Sequence, residues 1–345
     1  MKSPYLDNYI AADTHNPTQI ETPTANSLLV SEQAGRIWWY WDDNGDGFYE
    51  RRRLYDTGYS EVVGLLYDPL DGAVWIGGRG PSCGAPWIAT ATVWQMSQSC
   101  AWMACPGAAT RTTAWNGIRS RTPSAASQPI PGFTLAWGPR AIWTVATIST
   151  RPFCASPVRA RARLDLQIVS RGNRNAYDVV WAPVDMGSET HWSLFASENG
   201  PDFNDAPDEV NHIRWGLDYG FPDQFGLTSD PAQTVPNTGP VAELPGHASA
   251  DGLTFVTAAD WPADYRTLYV SLFGEIFGSE RVGHTVERIA LSPLPGAEPL
   301  TVNGETSPFI EGLERPLAMT TDVQGQLLVA HYVTGIVYRV RYVGP

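Results

Sequence analysis

One unit recurs along this chain: a short apolar strand, a turn rich in Pro, Asp and Gly, a second strand, a loop and a third strand. Ser27–Glu32 with Gly35–Trp41 forms the first unit, and Gly64–Gly77 with Thr92–Met96 the second. Phe133–Pro139 with Ala162–Leu166 forms a damaged third, and Tyr177–Pro183, Trp192–Glu198 and Glu209–Ile213 the fourth. Gly252–Val256, Thr267–Leu272 and Thr285–Leu291 make the fifth, and Leu317–Asp322, Gln326–Ala330 and Gly335–Val340 the sixth. Each strand alternates or is continuously apolar, which suits sheets packed face to face around an axis. Repeated units of three or four strands with such turns are the signature of propeller blades. The expectation is an all-β, six-bladed β-propeller with blades 2 and 3 irregular. It would span residues 27–345 as one domain, after an N-terminal lead-in of residues 1–26.

Composition agrees with a turn-rich β protein: 32 Gly and 28 Pro, with charged residues only 17% of the 345. A net charge of −13 argues against a nucleic-acid surface and leaves room for a bound cation. No apolar run approaches the length of a membrane span. The opening MKSPYLDNYIAADTHN has no apolar stretch of the signal-peptide kind. Lys2 is the only lysine, so no interior lysine can form a Schiff base or meet a cofactor carboxylate.

The middle of the chain is anomalous. No acidic residue occurs between Asp71 and Asp165, yet nine Arg, seven of the 14 Trp and all four Cys lie there. Much of residues 80–164 shows neither a strand nor a helix period. Three readings stay open: a basic, Cys-containing insertion, a disordered linker, and a stretch translated out of frame. The tryptophans count against the linker. Cys100 and Cys105 form a C-x4-C pair with Cys83 and Cys154 remote, a spacing that does not suit zinc. Gly80–Gly84 (GPSCG) matches G-x-S-x-G, but Pro81 and the lack of a strand–helix pattern argue against a serine nucleophile.

Two stretches could carry chemistry. Asp42–Gly47 reads D-x-N-x-D-G, so Asp42, Asn44 and Asp46 could open an oxygen-rich calcium loop. A twelfth-position Glu is replaced by Arg53, and a plain hairpin turn at Asn44–Gly45 fits as well. The richer stretch runs from Gly172 to Pro222. It holds Gly172, Asn173, Arg174 and Asn175 (G-x-R-N), then Glu198, Asn199, Gly200 and Pro201 (E-x-G-P). Asp208, Glu209, Val210 and Asn211 (D-E-x-N) follow, and then Gly216–Pro222 (GLDYGFP).

In order and spacing these motifs resemble the pyrroloquinoline-quinone-dependent glucose/sorbosone dehydrogenases. The likeness covers residues 171–345 well and 27–78 loosely. It implies an oxidoreductase that moves hydride from a sugar or alcohol hydroxyl to pyrroloquinoline quinone (PQQ), with calcium and an external electron acceptor. It also implies Arg174 and Asn175 facing cofactor and substrate, and the Gly200 and Pro201 carbonyls on the cofactor's calcium. Glu209 and Tyr219 would support a neighbouring structural calcium. A flat tricarboxylate needs cations and forked donors, and calcium takes hard oxygen ligands. Family members are exported, which implies a periplasmic or secreted protein. The family's catalytic His is expected just before FTLAWGP, where this chain reads SQPIPG; His247 is the best substitute. Two alternatives remain beside this reading: a degenerate propeller that serves as a calcium-stabilised scaffold, and a calcium-dependent lactonase or hydrolase.

Overall fold

The structure is a computed structural model that describes residues 5–67, 69, 72, 74–79, 88–92, 132–135, 144–148, 164–185, 190–202, 206–226, 238–275, 281–293 and 302–344. The GPSCG motif, the four cysteines and residues 127–131 of the SQPIPG stretch lie outside them.

The described residues are almost wholly strand and turn. β1 (Tyr5–Ala11) precedes a sheet of β2 (Pro17–Thr24), β3 (Ser27–Glu32), β4 (Arg36–Trp41) and β5 (Arg51–Thr57). β6 (Glu61–Tyr67), β7 (Val74–Arg79) and β8 (Ile88–Thr92) form the next sheet. β9 (Gly132–Leu135), β10 (Thr144–Ile148) and β11 (Leu164–Ile168) form another. β12 (Ala176–Asp185), β13 (Thr190–Glu198), β14 (Asp208–Ile213) and β15 (Ala242–Leu244) follow, then β16 (Ala250–Phe255), β17 (Leu268–Leu272), β18 (Thr285–Pro293) and β19 (Val302–Ile310). The last sheet joins β20 (Pro316–Thr321), β21 (Leu327–His331) and β22 (Ile336–Tyr342) to β1, in the order β1-β22-β21-β20. The first strand of the chain thus completes the last sheet, in antiparallel register from Tyr5↔Tyr342 to Ala11↔Val337.

The all-β propeller architecture is as expected, but the expectation of six blades is corrected. Four sheets are complete four-stranded blades, whereas β6–β8 and β9–β11 have three strands each. A complete blade needs an outer strand to cover its third. β5 (RRRLYDT) does this for the first, pairing with β4 and turning its arginines to solvent. The sequence after β8 offers no comparable stretch, and no fourth strand for either three-stranded sheet occurs among the described residues. Within the expected 1–26 lead-in, β1 and β2 belong to the sheets themselves.

The apolar core lies between sheets. Val180, Phe195 and Val210 pack on Leu253, Val270 and Ile289 of the next sheet. Met319, Leu327 and Val329 meet Val256, Tyr269 and Val286, and on their other side Leu328 and Ala330 meet Ile20, Leu28 and Val30. A sheet covered on both faces reads as an uninterrupted apolar run, which explains why β3, β17, β20 and β21 are buried throughout. The innermost strands touch one another in the sequence β6, β2, β20, β16, β12, which sets their ends around a common axis.

Candidate functional site

The motifs of the Gly172–Pro222 stretch converge. Gly172 has φ +71°, a left-handed conformation, and a side chain there would lie 2.1 Å from Asp218 Oδ1 and 2.4 Å from the Gly220 N. The G-x-R-N and GLDYGFP motifs therefore pack backbone to backbone. A Cβ on Gly200 would stand 2.1 Å from the Pro207 carbonyl oxygen, which ties E-x-G-P to the approach of D-E-x-N. Asn199 N–H donates to the Asn175 carbonyl (3.1 Å) and Gly200 N–H to Asp208 Oδ1 (2.8 Å).

Beneath these turns sits a buried acidic cluster. The Asn211 amide spans Glu198 Oε2 and Glu209 Oε2, at 3.1 Å to each. The Arg174 N–H donates to Glu198 Oε1 and the Gly226 N–H to Glu209 Oε1. Burial, and then the neighbouring Glu209 charge, raises the proton affinity of Glu198; burial likewise raises that of Glu209. Burial pushes Asp208 up to about 6 and Asp251 up to about 7. Tyr219 is 3% exposed, with its hydroxyl donating to the His212 carbonyl and accepting from Arg214 N–H (3.0 Å). Burial raises that phenol to about 12.

Above the cluster, the starts of the inner strands open into a cavity of about 470 Å³, a size that suits a small-molecule ligand. Thr18 comes from β2, Glu61 from β6, Tyr177 from β12, Asp251 from β16 and Leu317 from β20. Arg174 and Asn175, singled out from the motif, both line it. Arg174 donates to the Asn199 carbonyl (3.0 Å) and reaches Asp202 Oδ2 at 3.3 Å, where Asp202 is 85% exposed. Phe273 and Tyr332 form an aromatic wall, edge to face at 5.3 Å. Arg315 holds that wall by donating to the carbonyls of Phe273, Gly274 and Glu275 (3.3, 2.7 and 3.0 Å).

Other expected site residues stand elsewhere. Gly200, Pro201, Glu209 and Tyr219 lie with the acidic cluster and are not among the cavity-lining residues. His247 has φ +63°, stands 3.9 Å from Glu275 and is not among them either. Asp42, Asn44 and Asp46 occupy the β4–β5 loop. Asp42 accepts the N–H groups of Gly45 (2.6 Å) and Gly47 (2.8 Å), Asn44 that of Asp46 (2.8 Å), and Asp46 that of Phe48 (2.8 Å). Asp251, Tyr177, Asn199, Ser249, Phe273 and Tyr332 were not anticipated. They come from three neighbouring sheets, Tyr177 and Asn199 from one, Ser249, Asp251 and Phe273 from the next and Tyr332 from the last, and only the packing of those sheets assembles them.

The donors can be tested against the groups the resemblance implies. Glu61, Asp202 and Asp251 face one guanidinium, Arg174, among the described lining residues, a balance that repels a tricarboxylate. A divalent cation reverses it. Flat aromatic walls, amides and a guanidinium thus fit the quinone together with a cation, and not the quinone alone. Among the described residues no three His, Cys, Asp or Glu side chains are arranged to hold a metal ion. A calcium ion at Gly200–Pro201 would have to complete its shell with carbonyls, amides and water.

Strands ringed about an axis, with a ligand-sized polar cavity at one end, define a β-propeller. Its particular form is the fold of the PQQ-dependent sugar dehydrogenases. The PQQ-bound aldose sugar dehydrogenase of Streptomyces coelicolor superposes with a TM-score of 0.63 at 16% identity, over 98% of this chain and 98% of that one. The holo PQQ domain of pyranose dehydrogenase from Coprinopsis cinerea gives 0.61 at 15% identity, over 98% and 96%. The apo soluble aldose sugar dehydrogenase of Escherichia coli gives 0.59 at 14%, over 98% and 99%. No protein-family model matches the sequence, and no curated protein does. Among the described residues no helix is long and apolar enough to cross a membrane.

Proposed function

We propose that this chain is a calcium- and PQQ-dependent dehydrogenase of sugars or related alcohols that passes electrons to an external acceptor. The observation that carries the reading is the arrival of Arg174 and Asn175, the two motif residues implicated in cofactor contact, at the axial cavity. Arg174 would offer its guanidinium to a cofactor carboxylate, a pairing worth more than a neutral hydrogen bond. Asn175 and Asn199 would supply amide donors and acceptors, and Phe273 and Tyr332 an apolar face. When bound, the quinone supplies a two-electron acceptor. The Gly200 and Pro201 carbonyls would hold the cation, and Glu209 with Tyr219 would keep the turn beneath in place. Secretion or a periplasmic site belongs to the same proposal.

Calorimetric titration of calcium-loaded protein with PQQ tests it. Tight binding by the wild type, weakened about 10- to 100-fold in Arg174→Ala, supports the assignment. No binding by folded wild-type protein overturns it. One observation favours the second reading, a non-catalytic propeller: among the described cavity-lining residues there is no histidine. In that case neither PQQ nor calcium would yield dye reduction with any sugar.

A further inference from the structure

We propose that Asp251 is the proton acceptor of this site, in place of a histidine. The inference rests on the dehydrogenase reading above. Five described side chains lining the cavity could take a proton: Glu61, Asp202, Tyr177, Tyr332 and Asp251. The Tyr332 hydroxyl donates to Gln33 Oε1, and burial raises that phenol above its ordinary range. Asp202 is 85% exposed and tied to Arg174. Tyr177 donates its hydroxyl to the Thr18 carbonyl (3.1 Å), and burial beside Asp251 and Asp178 holds the phenol well above its ordinary range, so it stays protonated. Glu61 stands at the mouth of β6, half-buried.

Asp251 is different. It is 4% exposed, is the second residue of the inner strand β16, and is fixed through both oxygens: Asn199 Nδ2 donates to Oδ1 (3.2 Å) and Ser249 Oγ to Oδ2 (3.1 Å). Each oxygen keeps a lone pair for a substrate hydroxyl. Asn199 also ties this carboxylate to Arg174, whose guanidinium donates to the Asn199 carbonyl (3.0 Å). Base and anion-binding group are thus held on opposite ends of one residue.

Burial, with the charges of Asp208 and Asp178 behind it, raises the Asp251 carboxyl to about 7, against the pull of Asn199 and Ser249. A general base works best with a proton affinity near the ambient pH. In the step proposed, the substrate O–H bond breaks and its proton passes to an Asp251 oxygen. The adjacent C–H leaves as hydride to a two-electron quinone acceptor. The alcohol becomes a carbonyl, the quinone gains two electrons, and the carboxylate becomes the acid.

The test pairs Asp251→Asn with Ser249→Ala in calcium-loaded protein. Asp251→Asn should bind PQQ at least as tightly as wild type, since a repelling charge is lost. Its dye reduction with sugar should fall about 100- to 10,000-fold. Wild-type activity should decline as pH falls below about 7. Ser249→Ala keeps the carboxylate but removes a donor, so its acid limb should move to higher pH. Independently of turnover, infrared titration of the apoprotein should show a carboxylic acid C=O band titrating near that pH, absent from Asp251→Asn. An Asp251→Asn enzyme that binds PQQ and keeps its rate and acid limb overturns the inference while the dehydrogenase reading stands. Wild-type protein that does not bind PQQ overturns both.

Discussion

The five inner strands in mutual contact have two ends, and the two ends differ. At their starts, Thr18, Glu61, Tyr177 and Asp251 open on the polar cavity with Arg174. At their other ends, a second cavity of about 250 Å³ is lined by Trp181, Trp192, Phe255, Tyr67 and Leu66, with threonines between. Its hydroxyls include ones already engaged, such as Thr22 Oγ1 donating to the Thr321 carbonyl at 2.9 Å. The same strands build both hollows, so shape does not distinguish them. The difference is chemical: one end gathers a guanidinium, three carboxylates and amides around its aromatic wall, the other tryptophan rings and threonine hydroxyls with one carboxylate, Glu21. Among the described lining residues, an anion meets a guanidinium only at the first.

Calcium removal should have the largest effect. With carboxylates outnumbering Arg174, chelation should weaken PQQ binding at least about 100-fold, read by calorimetry with and without a chelator. Binding that survives chelation would show that the polar end needs no cation. Arg174→Ala should cost about 10- to 100-fold in affinity, the usual range for one charged hydrogen-bonding group, while Trp192→Ala at the other end should stay within about two-fold of wild type.

Stability against pH probes the acidic cluster. Asp208 and Asp251 hold protons more tightly when folded than when unfolded. Their contribution is therefore present in acid and is lost as pH rises from the ordinary carboxylate range through about 6 and 7. Metal-free protein should lose about 5 °C in Tm between pH 5 and pH 8. Calcium should restore part of it at pH 8, and a flat profile would show that the cluster is already compensated. The smallest effect belongs to Trp192→Ala, which should lower stability by about 1–2 kcal/mol through lost burial.

Later blades were legible in the sequence because their strands are long apolar runs between explicit turns. TLYVSL and QLLVA became β17 and β21 with little adjustment. β2 was not legible. Its sequence, PTQIETPT, buries Thr18 and Gln19 through polar contacts, among them the Thr18 hydroxyl on the Val62 carbonyl (2.6 Å), and so shows no apolar period. The blade count failed for a related reason. Short apolar pairs announce a sheet, but a solvent-facing outer strand such as RRRLYDT carries no apolar signal of its own. Arg174 and Asn175 were readable because local motifs carry them. Asp251 was not, since nothing near it in sequence declares a charge partner, and Asn199 lies 52 positions away.

The pairing of β1 with β22 sets an order on biosynthesis. β1 has its partner only after β22 has followed it from the ribosome. At roughly 5–20 residues per second this takes roughly 20 to 70 seconds. Throughout that interval the nascent chain carries an unpaired strand edge, the kind of surface that recruits other chains. A message cut short before β22 would therefore yield a sticky product with an open clasp, and not merely a shorter, less stable protein.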